Sequence, residues 1–370
     1  MKAVIFTLLG IVALIGSFFA WFFMGYLKVP ELIIPTDASE KEKIELVDSW
    51  FEELQEKNKF NGVVLLAKEG EALLAKGYGY ADAKKENPLT ERSSLRLASV
   101  SKQFTAAGIL LLQEQGELTV DDLVADHLTG LPYEKVKIRH LLNQTSGIPD
   151  VYMDLAEEYE EEITLLTNEI ALRLLIEENA EAVASPNEKY EYSNTNYILL
   201  ARVIEVVSGR SFEVFMKEEL FEPLGMENTR VWNLLSEEES FPGQAEDIRN
   251  FDGKFSKLTP SFLDGVAGDG AVFTSAMDML IWDGFWYENE LISQENLQEA
   301  FKEPTLLNGE TSHYGFGWMI THTGMWHNGG WLGARTYISR NTEEKTAMVI
   351  LDNSSNVHLD EIIAMLRKSY

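Results

Sequence analysis

Three short motifs along the chain combine residue types that could carry out nucleophilic catalysis. They are Ser99-Val-Ser-Lys102, Tyr192-Ser-Asn194 and His327-Asn-Gly329. Together they offer a hydroxyl nucleophile, a choice of bases and an amide that could orient a substrate. Each motif by itself is weak, because short patterns recur by chance in a chain of 370 residues. Only their combination predicts a site.

Ser99 and Lys102 stand three residues apart, where turn-forming residues give way to an apolar helical stretch. Residues i and i+3 share one face of a helix, so the amine could reach the hydroxyl and accept its proton. A helix N-terminus would add backbone N–H donors near a developing oxyanion. The alternative is that Ser99 caps the helix and Lys102 is a surface charge. The pattern Ser-x-x-Lys occurs once in the chain and begins a helix, which favours the nucleophile.

Tyr192 and Asn194 lie in a polar loop that leads into another apolar helical stretch. A tyrosine beside a lysine could serve as a base or proton relay, and an amide could hold the lysine and a substrate carbonyl together. Helix capping by Ser193 or Asn194 is the alternative. The spacing recurs at Tyr287-Glu-Asn289, but the polar surroundings of that copy favour the first one.

The third element is His327-Asn-Gly-Gly330, which falls in a predicted strand. Its glycines would let a substrate backbone approach the strand edge, and the N–H of Gly330 could form an oxyanion hole with that of Ser99. A histidine in a strand is more often a core residue with its hydrogen bonds made inside the protein than a catalyst. His327 is a candidate site residue only because the other two motifs accompany it. The rival pattern His322-Thr-Gly324 fits the turn of a hairpin better.

The composition narrows the classes of partner and cofactor. Acidic residues outnumber basic ones 60 to 31, and the formal net charge of −29 would repel phosphates, so we expect no nucleic-acid partner. The chain has no cysteine, which excludes disulfides, thiolate metal sites and a cysteine nucleophile. Its 6 histidines are scattered without a His-Glu-x-x-His pattern, so we expect no metal and no other cofactor.

Residues 3–27 form an uncharged apolar run behind Lys2. The run is long enough to cross a bilayer, and no small-residue cleavage pattern follows it. A basic start and an acidic exit side would place the remainder outside the cytoplasm. We therefore expect a single-pass membrane anchor over residues 1–27, a juxtamembrane linker over residues 28–39 and an extracytoplasmic domain over residues 40–370. A cleaved signal peptide is the alternative.

The apolar pattern predicts strands near both ends of the chain and helices between them. Alternating or continuous apolar runs indicate strands, and apolar residues three or four apart indicate helices. The predicted elements are a helix over residues 40–57, a β-hairpin over 62–67 and 72–78, mainly helices over 95–292, strands over 314–320, 325–328, 335–339 and 346–351, and a closing helix over 360–368. This order predicts an α/β (α+β) fold in which one antiparallel sheet, built from both chain ends and flanked by helices, carries an inserted helical lobe.

The ordered motifs resemble those of the serine β-lactamase and penicillin-binding superfamily. The chain is most similar to its class C β-lactamase-like serine hydrolases, which include D-Ala-D-Ala carboxypeptidases and esterases. Leu97-Ala-Ser-Val-Ser-Lys-Gln-Phe-Thr-Ala106 resembles the first motif of that family and Tyr192-Ser-Asn194 the second. His327-Asn-Gly329 stands where members carry Lys-Thr-Gly or a histidine version. The resemblance spans roughly residues 45–366.

The resemblance implies a β-lactamase/transpeptidase-like fold and an acyl-enzyme mechanism without a cofactor. Ser99 would attack the carbonyl of a small-molecule or peptide acyl substrate, while Lys102 and Tyr192 handle its proton; which of the two is the base stays open. Asn194 would orient substrate and lysine. A catalytically silent penicillin- or peptidoglycan-binding or sensor domain is the alternative, but such a domain need not keep all three of Ser99, Lys102 and Tyr192.

His327 departs from the family members that carry Lys-Thr-Gly as their third motif. A lysine there would supply a fixed positive charge for a substrate carboxylate. His327 therefore shifts the expectation from a β-lactamase towards a peptidase or esterase. Arg335, on the following strand, could replace the missing charge. These considerations place Asn194, His327, Gly329, Gly330 and Arg335 among the residues expected to bind substrate or stabilise the oxyanion.

Overall fold

The computed structural model describes residues 28–369, together with residues 11, 16 and 25. Apart from those three positions, the anchor expected over residues 1–27 lies outside the described residues. Among the residues that are described, no helix combines the length and apolar character that crossing a bilayer requires.

Strands and helices are numbered here in chain order. The strands are β1 (Gly62–Lys68), β2 (Glu71–Tyr78), β3 (Leu95–Arg96), β4 (Arg230–Val231), β5 (Ile248–Phe251), β6 (Lys254–Lys257), β7 (Val272–Thr274), β8 (Met319–Ile320), β9 (Gly324–Trp331), β10 (Ala334–Asn341) and β11 (Thr346–Asp352). The helices are α1 (Glu40–Glu56), α2 (Lys102–Glu114), α3 (Val124–His127), α4 (Ile138–Leu142), α5 (Tyr152–Glu158), α6 (Asn168–Glu178), α7 (Asn194–Ser208), α8 (Phe212–Met216), α9 (Glu222–Leu224), α10 (Ala276–Phe285), α11 (Gln294–Glu299) and α12 (Leu359–Ser369). A 3₁₀ turn at Ala98–Ser101 leads into α2.

The main sheet is antiparallel, with strand order β2-β1-β11-β10-β9-β8. Two of its strands come from the start of the domain and four from its end, which confirms the predicted sheet built from both chain ends. β1 pairs with β11 from Gly62↔Asp352 to Lys68↔Thr346. A smaller sheet has the order β3-β7-β4, and β5 and β6 form a separate hairpin.

Both faces of the main sheet are covered, which explains the unbroken apolar run of β1. Val63 and Leu65 pack against the helical lobe. Val64 and Leu66 pack on the opposite side, in the cluster that α1 and α12 share with the sheet. Because side chains alternate between faces along a strand, a strand buried on both sides reads as continuously apolar.

The lobe inserted between β2 and β8 encloses α2. Every residue of this helix from Lys102 to Leu112 is buried, and Phe104 stacks on Trp282 with ring centroids 4.0 Å apart. A helix with an almost wholly apolar surface must be enclosed by other elements. Because α2 is buried, its first residues and the 3₁₀ turn before them lie in the interior of the molecule.

The segment 28–39, expected to be a juxtamembrane linker, contacts α1 through residues near the start of the segment. Val29 is only 3% exposed, and it joins the apolar cluster of α1 and α12. Trp50 of α1 donates its Nε1–H to the carbonyl oxygen of Pro30 at 2.9 Å. Leu32 and Ile34 pack partly against the same cluster, whereas Ile33 is 70% exposed.

The stretch 314–320, predicted as one strand, is strand only in β8. Gly317 turns the backbone with φ of +76°, and Tyr314 makes a single bridge to Met319. A Cβ at Gly317 would lie 2.8 Å from the backbone nitrogen of Gln103. The loop is therefore shaped by its packing on the start of α2. The hairpin turn predicted around His322 does join β8 to β9.

Candidate active site

Ser99 sits in a constrained turn between β3 and α2. Ala98, the residue before it, has φ of +49°, a conformation that L-residues with a Cβ rarely adopt and that costs free energy. The turn is held from two sides, because Thr336 of β10 donates its Oγ1–H to the carbonyl oxygen of Leu97 at 2.7 Å and Ser101 Oγ accepts from Val272 N at 3.1 Å. The strain therefore persists because the surrounding sheets support it.

Lys102 is fully buried and directs its amine at three oxygens. Nζ lies 3.1 Å from Ser99 Oγ, 2.8 Å from Asn194 Oδ1 and 2.9 Å from the carbonyl oxygen of Asp269. An ammonium could donate to all three. A neutral amine could instead donate to the two carbonyl oxygens and direct its lone pair at the serine hydroxyl. The same geometry thus serves a lysine that gives up or takes up the serine proton.

Asn194 is the first residue of α7, and Asp150 holds it in place. The Asp150 carboxylate accepts from Asn194 N at 2.8 Å, from Asn194 Nδ2 at 3.0 Å and from Thr195 N at 3.2 Å. Asp150 therefore caps α7 from outside the helix. The alternative of a cap by the Ser193 side chain does not apply, because that side chain makes no capping bond. The amide oxygen of Asn194 is left to accept from Lys102.

The amine of Lys102 lies against the aromatic ring of Tyr192, with Nζ 5.1 Å from the ring centroid. Cation–π contacts of this kind are electrostatically attractive. Among the described residues, the Tyr192 hydroxyl makes no hydrogen bond to Ser99 or Lys102. The structure thus brings all three predicted residues together but gives the direct contact with the nucleophile to the lysine.

Asp269 and Tyr152 form a polar pair behind Lys102 that sequence reasoning missed. Tyr152 donates its hydroxyl to Asp269 Oδ2 at 2.8 Å. Burial raises the pKa of the Asp269 carboxyl, and it raises the pKa of the Tyr152 hydroxyl well above its ordinary value. The segment around Asp269 carries a glycine on each side, a sign of close backbone approach, whereas nothing near Tyr152 in the sequence indicates a role.

The edge of β9 beside Ser99 is free, because β8 pairs with β9 only as far as Trp326. Gly324 uses its carbonyl oxygen on this side of the strand, where it accepts from Thr321 N at 2.8 Å. Backbone polar groups alternate sides along an antiparallel strand, and the β9–β10 register is regular. The N–H of Gly330 therefore points to the free edge, in position to face an oxyanion together with the N–H of Ser99.

Gly329 and the side chain of His327 face the helical lobe, which is the side of the sheet on which Ser99 lies. Gly329 presents its bare Cα to the turn that carries Ser99. His327 is 3% exposed, with Nδ1 2.6 Å from the carbonyl oxygen of Asn328 and Nε2 3.0 Å from the hydroxyl of Tyr314. Burial and the neighbouring lysine lower the pKa of this imidazole to about 3. His327 is thus neutral near pH 7, with both ring nitrogens engaged inside the protein.

Arg335 lies on the opposite face of the sheet from this group. Its neighbour Thr336 points to the lobe and contacts Leu97, so alternation turns Arg335 to the side of α1 and α12. There its Nη1 donates to the carbonyl oxygen of Ala334 at 2.7 Å. The guanidinium packs against the face of Gly330 that is turned away from Ser99, with Nη1 3.4 Å from the position of a Cβ on that glycine.

The second Tyr-x-Asn copy serves the helical lobe. Asn289 donates its Nδ2–H to the carbonyl oxygen of Phe285 at 3.0 Å and so closes a local turn. The Tyr287 ring packs under the guanidinium of Arg340, 4.5 Å from its centroid. These contacts support choosing the first copy.

Two adjoining cavities open at Ser99, with volumes of about 90 and 390 Å³. Ser99 and Gly330 line both of them. A larger cavity of about 1160 Å³ lies between α7 and α8, but it includes no residue of the Ser99 group, so size does not locate the site. In the region 28–369, no group of three or more His, Asp or Glu side chains is arranged to hold a metal ion.

Comparison with known proteins agrees with this geometry. The family model described as beta-lactamase matches residues 47–368. Penicillin-binding protein 4* of Bacillus subtilis is 38% identical over 317 residues, covering 82% of this chain and 70% of that protein. The structure of a penicillin binding protein from Bacillus halodurans superposes with a TM-score of 0.74 at 23% identity, over 86% of this chain and 99% of the other.

A D-amino acid amidase from Ochrobactrum anthropi has the same fold, with a TM-score of 0.67 at 22% identity, over 88% of this chain and 99% of the other. The likeness confirms the predicted β-lactamase/transpeptidase-like architecture. Because the family match spans the serine turn, the start of α7 and the free edge of β9, this chain is a serine hydrolase of the beta-lactamase family.

Proposed function

We propose that the protein is a membrane-anchored, outward-facing hydrolase that cleaves amide or ester bonds through an acyl-enzyme on Ser99. The contact of 3.1 Å between Lys102 Nζ and Ser99 Oγ carries the proposal, since a serine needs an adjacent proton acceptor to become a nucleophile. Its nearest class of activity is that of D-Ala-D-Ala carboxypeptidases and esterases.

The reaction begins when Ser99 Oγ attacks the acyl carbon and its proton passes to the Lys102–Tyr192 pair. Lys102 is the member of the pair in direct contact with the hydroxyl, and Asn194 keeps it there. The carbonyl oxygen becomes an oxyanion, which the N–H groups of Ser99 and Gly330 stabilise at the free edge of β9. The tetrahedral intermediate then expels an amine or alcohol, which takes up the proton.

The acyl-enzyme is resolved by a water molecule that attacks the same carbon. The proton of that water returns to the Lys102–Tyr192 pair and then to Ser99 Oγ, which restores the free enzyme and releases the acid. Apart from the substrate and this water, no group outside the chain is needed to balance either half of the reaction. The strained turn at Ala98 supports both halves, because it presents the hydroxyl with little freedom.

The charges around the cavities favour an acyl donor without a carboxylate next to the scissile bond. Arg96 is the one basic side chain among the described residues that line them, and its Nε is tied to buried Asp247 at 2.9 Å. His327 is neutral. Asp264 lines the smaller cavity and is in no ion pair with another described residue. A neutral ester or an amide bearing an ammonium group therefore suits the site better than a β-lactam or a D-Ala-D-Ala peptide, whose carboxylates lie next to the bond that is cleaved. Of the two classes, this favours an esterase-like activity over a carboxypeptidase.

The central experiment is intact-mass measurement after mixing the protein with benzylpenicillin, a D-Ala-D-Ala peptide, an amino acid amide and the N-acetyl form of that amide. The expected result is an adduct that Ser99→Ala abolishes, formed faster from the free amine than from its acetylated form. Absence of both adduct and turnover with every donor would favour a silent binding domain. Faster acylation by penicillin than by the amide would overturn the charge argument.

The proposed anchor is tested by fractionation. The full chain should stay with membranes after a wash at high pH, whereas a chain starting at residue 28 should be released. A shortened mass for the full chain would instead indicate a cleaved signal peptide. Protease added outside intact cells should digest the domain if it faces outward.

A further inference from the structure

Tyr314 is a buried tyrosine at the centre of an aromatic group behind the site. It is 1% exposed. Its ring meets that of Tyr192 edge to face, with centroids 6.1 Å apart at 83°, and it meets the ring of His327 at 5.8 Å and 77°. Tyr192 in turn lies against the amine of Lys102. Tyr314 therefore stands behind the residues that surround the catalytic amine.

The hydroxyl of Tyr314 completes the hydrogen bonding of the His327 ring. A carbonyl oxygen only accepts hydrogen bonds, so the contact of 2.6 Å with Asn328 O places a proton on Nδ1 of the ring. Nε2 of a neutral imidazole is then an acceptor, and the Tyr314 hydroxyl donates to it at 3.0 Å. With both nitrogens engaged, His327 has no polar atom left for a substrate.

The loop that carries Tyr314 is itself fixed. Gly315 N donates to Trp318 O at 2.8 Å, and Phe316 N donates to Ala300 O at 2.9 Å. Gly317 lies against the backbone of Gln103 at the start of α2. The hydroxyl is thus presented from a rigid support that also contacts the helix of Lys102.

We propose that Tyr314 is a positioning residue, whose hydroxyl fixes the ring of His327 with its proton on Nδ1 and whose ring seats Tyr192 against Lys102. Tyr314 and His327 thus place a hydrogen bond between neutral groups where a lysine would present a positive charge. This role goes beyond the proposed hydrolysis, and part of its test does not depend on that function.

The surroundings of His327 make its titration a usable reporter. The titratable side chains around the Tyr314–His327 pair are Tyr190, Tyr192, Tyr197 and Lys102, and of these only the lysine carries a positive charge. Lys102 and the burial of the ring stay in place in a Tyr314→Phe variant. A change in the pKa of His327 in that variant therefore reports the lost hydroxyl.

The first arm of the test is NMR of the full chain in detergent, with histidines labelled in the ring nitrogens. His327 should remain neutral and protonated on Nδ1 down to pH 5 in the parent protein, and its signals are assigned by their loss in His327→Gln. Tyr314→Phe removes a bond to the neutral form, so the pKa should rise by about one unit. The rise is read by continuing the titration from pH 5 to pH 3, and the lost bond is also read from the shift of Nε2 at pH 7. An unchanged titration and unchanged ring shifts would overturn the proposal, whatever the enzyme does.

The second arm is kinetic and rests on the proposed function. With p-nitrophenyl acetate as acyl donor, Tyr314→Phe should lower kcat by about tenfold and leave KM nearly unchanged, because the lost hydroxyl frees the His327 ring beside Lys102 and removes no group that binds substrate. The matched control is Tyr133→Phe, which removes another buried hydroxyl, bonded to Ala180 O at 2.8 Å away from the site. That variant should keep its kcat.

A double-mutant cycle separates positioning from general destabilisation. If Tyr314 acts through His327, the pair Tyr314→Phe with His327→Gln should lose no more activity than His327→Gln alone. Losses that multiply would show independent effects and contradict the proposal. If no variant and no parent protein turns over, the NMR arm still decides the matter.

Discussion

A Cβ at Gly329 would lie 2.3 Å from the carbonyl oxygen of Leu97. The same atom would come within 2.5 Å of Thr336 Oγ1 and 3.0 Å of Ser99 N. Strand β9 and the turn of the nucleophile are therefore closer than any side chain permits, and this contact sets the distance between Ser99 and the free edge of the strand.

Gly329→Ala should lower kcat/KM by about a hundredfold or more. The new methyl group must push β9 from the serine turn, and a displacement of about 1 Å between reacting groups has an effect of this order. The measurement is the acylation rate of the variant with a small ester, together with its thermal unfolding.

Gly284→Ala is the matched control, because a Cβ at Gly284 meets nothing within 4 Å. It lies inside α10, where alanine is favoured over glycine, so the variant should be active and no less stable. Full activity of Gly329→Ala would show that the close approach of the strand has no part in catalysis.

Asp150→Ala should lower both stability and activity. Removing a cap costs about 1 kcal/mol of unfolding free energy, and the freed amide of Asn194 no longer holds Lys102, so kcat should fall by about tenfold. Asp150→Asn keeps an acceptor oxygen and should recover part of the activity. The measurements are denaturant unfolding and steady-state kinetics.

Thr167→Ala separates the two effects. Thr167 caps α6 by accepting from Ile170 N at 3.2 Å and does not contact the Ser99 group. Its loss should cost similar stability and leave kcat unchanged. Equal losses of activity in the two variants would mean that Asp150 matters only through folding.

The sequence predicted the parts of the site that are local in the chain. Ser99 and Lys102 meet because residues three apart share a helix face, and the hairpin turn at His322 follows from the apolar runs around it. The sheet built from both termini was also predictable, because strand patterns are strong at both ends. The spacing of apolar residues predicts contacts between residues that are close in the sequence.

Contacts between residues that are distant in the sequence could not be predicted from local patterns. Asp150 caps α7 from 44 positions away, and the side chain of Tyr314 finds His327 only because a loop folds onto α2. That loop was predicted as a strand, since its apolar residues fit one. Its course follows from the contact of Gly317 with Gln103, which no local pattern encodes.

Stability should fall as the pH drops below about 6.5. The pKa of His327 is about 3 in the folded protein because the ring is buried, against 6.5 when unfolded. Below pH 6.5 the unfolded chain thus binds a proton that the folded chain refuses, which costs up to about 1.4 kcal/mol per pH unit. His140 and His358, each lowered to about 4, act in the same direction.

One buried carboxyl group opposes this trend. Burial raises the pKa of Asp352 to about 6, so between pH 6 and 3.8 the folded protein binds a proton that the unfolded chain releases. Urea unfolding at pH 7.5, 6 and 5 measures the balance. His327→Gln should flatten the acid loss by one proton, and Asp352→Asn should steepen it; slopes parallel to the parent protein would contradict these assignments.

Arg335→Ala should affect carboxylate-bearing and neutral acyl donors alike, each by less than about threefold. The sequence suggested that this arginine replaces the charge missing from His327, which requires its guanidinium near the substrate. The strand alternation instead directs it to the face of α1 and α12, where it donates to Ala334 O. The check is the ratio of acylation rates for benzylpenicillin and p-nitrophenyl acetate in parent and variant. A selective loss with penicillin would mean that the arginine reaches round the sheet edge when substrate binds, and would restore the charge role.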